Sequence, residues 1–330
     1  EFSVVQGRVM IRSGSMLDPT DNLGLADMTG SVLRTGGSAK YPGDDLDRKL
    51  ENIGATVEFS LGQLSGEGTF WTLEEYAPEI LEIVADLLRR PVFPEEKLAL
   101  AKSELRRSIA GRNDDPMDIL IRESGRLIWG KDHPYAAMPE YATVDAVTRE
   151  DLVEFHRTTF TPDRITMVLW GDFDAGRMRS RVEKLFADWP ASGLPAPQQP
   201  PIPPIAPGGK LAYAEKDGMT NAWIIEGHTG IKADNPDYAA MNVLGEILGG
   251  GFSSRLFNEV RTRRGLAYLA GSAAGTDIAR PGIFMVYAGT RADSALVVLN
   301  LMQREVKRIT EEPVTEEELN RAKDAILNSY

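Results

Sequence analysis

Three histidines and no cysteine are all that this 330-residue chain offers for transition-metal or thiol chemistry. His133, His156 and His228 stand far apart, and none has a second histidine one helical turn away to share a metal ion. The lack of cysteine excludes disulfide frameworks, cysteine-ligated zinc, iron–sulfur clusters and thiol nucleophiles. His133, in a Lys-Asp-His-Pro run, and His156, beside Phe155, read as surface and packing residues. There is no G-x-x-x-x-G-K-S/T phosphate loop, no G-x-S-x-G elbow and no strand-following G-x-G-x-x-G. One conspicuous run is left, Gly249-Gly250-Gly251, placed after a predicted helix, where glycine commonly closes the C-terminus with positive φ.

The elements that would position any site come in two similar sets. Eight of the 20 prolines fall between Pro190 and Pro207, a composition that favours an extended, semi-rigid spacer. The expected division is therefore 1–189, a linker 190–210, and 211–330. Glu95-Glu96-Lys97-Leu98 with Ala101-Lys102 recurs as Glu316-Glu317-Glu318-Leu319 with Ala322-Lys323. A long apolar-periodic helix precedes each copy, Glu74–Arg89 and Ser294–Thr310. Further back, a charged helix, a glycine and a strand (46–53, Gly54, 55–61) match 254–264, Gly265 and 266–272. Three elements in one order argue for duplication.

Strands at 4–12, 56–61, 67–72 and 165–170 alternate with runs of helices, so each half should be α+β, a largely antiparallel sheet with helices on one face. The second half should open with strands at Leu211–Glu215 and Asn221–His228, followed by a helix capped near Asp234 and Asn235. After Lys323 only seven residues remain, so the second copy reads as incomplete by about 80 residues beside its first copy. The chain thus reads as part of a longer protein.

Lys and Arg total 37 against 49 Asp and Glu, a net charge of −12, which argues against nucleic acid or an anionic membrane as partner. No apolar run reaches the roughly 18 residues of a membrane span.

Two segments carry a resemblance. Gly24-Leu25-Ala26 followed by a helix is one. The other is Leu248–Phe257 (LGGGFSSRLF) with Arg261-x-x-x-Gly265-Leu266-Ala267-Tyr268. With Pro134-Tyr135, Gly171-Asp172-Phe173 and the repeated Glu-Glu-x-Leu-x-x-Ala-Lys, they resemble the pitrilysin/insulinase family of zinc peptidases over essentially the whole chain. The branch most alike is that of bacterial relatives of mitochondrial processing peptidase. The resemblance implies duplicated α+β halves. In active members Gly-Leu-Ala runs into an H-x-x-E-H motif, whose two His hold zinc while the Glu activates water. A third ligand, a Glu, follows about 77 residues after the second His. Here those positions are Asp27, Gly30, Ser31 and Ser108, so the chain should bind no zinc itself. One carboxylate cannot hold the ion.

The resemblance also implies that Arg261 and Tyr268 are the pair that reaches substrate from the C-terminal half. They would be donors to a peptide carbonyl and to the oxyanion formed on it. Gly249–Gly251 stands where some members carry a substrate-contacting loop, although here the run is short. The expectation is a subunit inactive alone, supplying Arg261 and Tyr268 to a zinc-bearing partner that cleaves extended peptides. The alternative is a structural or assembly subunit. An acidic surface suits basic peptides, and relatives of this branch often work in the periplasm.

Overall fold

The computed structural model describes residues 3–193, 195, 197–205 and 209–329. They separate into two compact units, the residues up to Gly111 with Ala137–Pro200, and Arg112–Ala136 with the residues from Pro201 onward. The division is therefore not a single cut in the Pro-rich segment. A piece of chain from the first half, 112–136, folds with the second.

In the first unit the chain runs β1 (Val4–Ile11), α1 (Leu25–Gly36), α2 (Gly43–Ile53), β2 (Thr56–Leu61), β3 (Gly66–Leu73), α3 (Ala77–Arg89) and α4 (Glu95–Gly111). After α5 (Pro116–Trp129), which belongs to the second unit, it continues with α6 (Tyr141–Ala146), α7 (Arg149–Thr159), β4 (Ile165–Gly171) and α8 (Ala175–Phe186). The strands form one antiparallel sheet in the order β2-β3-β1-β4. Strict alternation decides its inner face: Val5, Val9 and Ile11 of β1 are buried, as are Val57, Phe59 and Leu61 of β2. The helices cover that face, with Met28, Val32, Leu33, Ile80, Ile83, Leu87 and Leu88 completing the core. Outward-facing Trp71 of β3 and Trp170 of β4 both pair in register with Gln6, leaving an exposed aromatic row across the sheet.

The second unit holds β5 (Asn221–Thr229), β6 (Ile231–Lys232), α9 (Tyr238–Gly249), a π-helical turn (Phe257–Thr262) and β7 (Ala267–Ala274). It ends with β8 (Thr276–Asp277), β9 (Ile283–Arg291), α10 (Ala295–Glu311) and α11 (Glu316–Asn328). Its antiparallel sheet runs β5-β9-β7. That order reproduces β1-β3-β2, and the helices recur in the same places, α1 as α9, α3 as α10 and α4 as α11. Gly54 and Gly265, matched in sequence, share φ near +63°, a left-handed conformation that lets each chain leave its helical segment for a strand. Short 3₁₀ turns at Glu74–Tyr76 and Ala292–Ser294 lead into α3 and α10 alike.

Leu211–Glu215 is not a strand; the sheet begins at Asn221. Leu211 is 91% exposed and Tyr213 85%, so their alternation has neither a neighbouring strand nor an apolar face to serve. The helix after it starts at Tyr238, with Asn235 accepting a hydrogen bond from the N–H of Asp237. No helix or strand occurs among the described residues of 190–210. The rest of that segment lies outside the described residues. Among the described residues no helix is long and apolar enough to cross a membrane.

Candidate functional site

The positions that the resemblance assigns to the zinc motif lie on two helices of the first unit, Asp27, Gly30 and Ser31 on α1 and Ser108 on α4. Asp18 organises the entry to α1. Its carboxylate accepts the N–H groups of Gly24 and Ala26, each at 2.9 Å, and Gly24 turns the chain with φ of +101°. Burial pushes Asp18 up to a pKa of about 7 against the pull of those N–H groups, with Asp27 adding like-charge repulsion. Asp27 keeps a solvent-accessible side, yet the surrounding protein and then the carboxylate of Glu104 raise its pKa above the ordinary range.

Gly30 decides what this helix can hold. A Cβ there would lie 2.8 Å from the backbone nitrogen of Leu61 and 2.8 Å from its Cδ1. α1 therefore sits against β2 through a bare backbone, where the motif requires a glutamate. Ser31 is half-buried and Ser108 exposed on α4. Among the described residues no three His, Asp or Glu side chains come together in a way that could hold a metal ion. The family's zinc ion does not fit this set: one carboxylate, two hydroxymethyl groups and a glycine with no room for a side chain.

Arg261 and Tyr268 lie in the second unit on two irregular pieces of backbone. Arg261 sits in the π-helical turn, a rare conformation that often marks functional segments. That turn is fixed from several sides. Leu256 and Val260 enter the core of the unit. Arg255 donates twice to Glu318 of α11, at 2.7 and 2.9 Å, and this bond holds Glu318 down at a pKa of about 2. Glu259 bonds Arg304 of α10 at 2.6 Å. Burial opposes its ionisation, but Arg264, Arg304 and Arg263 outweigh that and lower its pKa. Arg261 is left exposed, its guanidinium 4.8 Å above the Phe257 ring.

Tyr268 is the extra residue of a β-bulge, where Ala267 pairs with Thr290 and Leu269 with Gly289. Bulges re-aim a side chain at the cost of regular pairing. The guanidinium Nη1 of Arg261 donates to the carbonyl oxygen of Tyr268 at 2.7 Å. The two residues singled out in the sequence are thus in direct contact. The Tyr268 ring is half-exposed, and among the described residues nothing hydrogen-bonds its hydroxyl. Packing around the ring, then the carboxylate of Asp115 at the start of α5, raises the phenol pKa. The proton therefore stays on at neutral pH, and the group remains a donor.

The glycine run behaves differently from a helix cap with positive φ: none of the three has one. Gly249 is the buried last residue of α9, where a Cβ would stand 2.2 Å from the Ser272 nitrogen, so it serves close packing of α9 on β7. Gly250 continues with right-handed geometry. Phe252, 80% exposed, follows and meets Phe257 edge-on, with ring centroids 5.0 Å apart. Phe257, Trp223 and Gly289 around the pair, and Arg255–Glu318 beneath the turn, escaped the sequence reading. The run Leu248–Phe257 and the repeated Glu-Glu-x-Leu were the only signals pointing at the last pair.

The family model described as Insulinase (Peptidase family M16) matches residues 3–125, and that described as Peptidase M16 inactive domain matches residues 146–326. The chain belongs to peptidase family M16. Among M16 relatives, a protein named as an uncharacterized zinc protease from Streptomyces coelicolor is 28% identical over 288 residues, 81% of this chain and 61% of its own. One from Mycobacterium leprae is 29% identical over 253 residues, 74% of this chain and 55% of its own. The chain spans about three fifths of the length of the curated relatives it matches.

Solved structures share the fold across the whole chain. A peptidase M16 inactive domain from Pseudomonas fluorescens superposes with a TM-score of 0.84 at 24% identity, covering 79% of that chain. A protease from Helicobacter pylori does so with 0.88 at 19%, covering 80%. At the four positions that the resemblance assigns to the zinc motif, this chain carries one carboxylate, two serines and a glycine packed against β2.

Proposed function

We propose that this M16 chain is a non-catalytic, substrate-binding subunit of a heterodimeric zinc peptidase. The observation that carries the reading is the contrast between its two sites. At the positions that the resemblance assigns to zinc, the first unit offers one carboxylate, Asp27, and Gly30 leaves no room for a side chain. The second keeps Arg261 and Tyr268 in contact, exposed, and built on a π turn and a bulge that ordinary packing does not require. A zinc-bearing partner of the same family would hold the metal and its water. This chain would bind an extended peptide and direct its phenol, with the Arg261 cation beside it, at the carbonyl oxygen on which negative charge builds during attack. Gly250, Gly251 and Phe252 would flank the peptide, while Gly249 packs α9 on β7 beneath them. An extended strand added to a sheet edge is the binding mode that best suits unstructured peptides.

Metal analysis of the purified chain is expected to find no stoichiometric zinc. Mixing it with a family chain that carries H-x-x-E-H should create peptidase activity that neither shows alone. If the two chains associate but activity is the partner's own, the role is structural assembly instead.

A further inference from the structure

Tyr268 lies on one outer strand of the second unit's sheet and Trp223 on the other, with β9 between them. Neighbouring strands are about 4.8 Å apart, so side chains two strands away meet only if the middle position carries nothing between them. Gly289 is that position. It pairs with Trp223 on one side and with Leu269, beside the bulge, on the other. The Trp223 and Tyr268 rings cross above it edge to face, with centroids 5.3 Å apart and planes at 84°. A Cβ at 289 would fall 2.9 Å from Cε1 and Cζ of Tyr268 and 3.0 Å from Cζ3 of Trp223. Glycine inside a strand weakens the strand, which calls for a reason of this kind.

We infer that Trp223, through the gap at Gly289, is a positioning residue that fixes the Tyr268 ring for substrate. The inference rests on the function proposed for Tyr268. The bulge frees Tyr268 from regular pairing, so two other contacts must set its direction. Arg261 holds the backbone carbonyl. Trp223 holds the ring, in the edge-to-face geometry aromatic pairs prefer, and leaves the hydroxyl open. Neither device restrains the ring alone, because a held carbonyl still permits rotation of the side chain about χ1.

Two substitutions test this by different routes. Trp223→Ala removes the support; Gly289→Ala keeps Trp223 but pushes both rings apart. In protein labelled at tyrosine Cζ, with Tyr268→Phe used to assign the resonance, each should shift the Tyr268 signal and bring its titration down towards that of a free phenol. Trp223→Phe should largely restore both. In the mixture with a zinc-bearing partner, each should lower kcat by about ten- to a hundredfold with little change in KM. An unmoved Tyr268 signal and titration in both variants would overturn the inference. If the signal moves while Tyr268→Phe leaves the mixture's activity intact, positioning stands and the proposed function falls.

Discussion

Lysine at position 261 would keep the positive charge but lose the planar fork that reaches the Tyr268 carbonyl while lying over Phe257. Arg261→Lys is therefore expected to cost the mixed complex activity much as Arg261→Ala does, and Tyr268→Phe to cost about a hundredfold in kcat, the scale of a lost oxyanion donor. Steady-state assays at a fixed ratio of the two chains check both. At position 30 the expectation concerns restoration. Adding His, Glu, His and Glu at 27, 30, 31 and 108 should not create a tight zinc site. The side chain at 30 would have to push α1 off Leu61, at about 1–3 kcal/mol for overpacking. Stoichiometric zinc in that variant with an unchanged melting temperature would contradict this. The assignment of Asp27, Gly30, Ser31 and Ser108 to the zinc motif came from the family resemblance alone. The steric closure was not legible in the sequence, because it depends on how near β2 approaches.

At the scale of elements, the repeated Glu-Glu-x-Leu segment foretold α4 and α11, and matched glycines foretold the turns at Gly54 and Gly265. What escaped shares a physical cause. A π turn and a β-bulge are slips of hydrogen-bond register between segments, and side-chain periodicity is almost blind to a one-residue slip. α5 follows α4 directly in sequence, yet it folds with the second unit. There Trp129, its last residue, and Tyr135 in the following loop lie 5.2 and 4.2 Å from the Arg280 guanidinium. The turn carrying Arg261 depends on Arg255 and Glu318, whose side chains are 7% and 19% exposed. Arg255→Ala leaves Glu318 partly buried without its cation, so a loss of about 3 kcal/mol is expected in denaturant unfolding. Hydrogen exchange should rise first in residues 255–266. Uniform loosening across the second unit would argue against a local anchor.

At the scale of the whole molecule, two groups in the first unit set opposing pH dependences. Asp18, raised from 3.8 to about 7, holds its proton in the folded state where the unfolded chain has lost it; its stabilisation is full below about pH 4 and fades as pH climbs to 7. His156 packs between Phe93 and Phe160, with Nε2 2.9 Å from the Leu88 carbonyl oxygen. Burial lowers its pKa from 6.5 to about 4, so the unfolded chain gains the proton first and stability falls as pH drops from 6.5 to 4. Asp18→Asn should leave a curve that rises between pH 4 and 6.5. His156→Gln should leave one that falls between pH 4 and 7. Denaturant titrations across that range separate them, and parallel curves for both variants would refute the assignment.

Whether this subunit lends donors to a partner's zinc half can be read in one assay. A zinc-bearing family chain is mixed with this chain, either as it stands or as Arg261→Ala/Tyr268→Phe, and peptide hydrolysis is followed while complex formation is measured on the same samples. Activity is expected only in the mixture, with the double substitution lowering it a hundredfold or more without weakening association. Equal activity with both forms, in complexes of equal amount, would contradict this expectation.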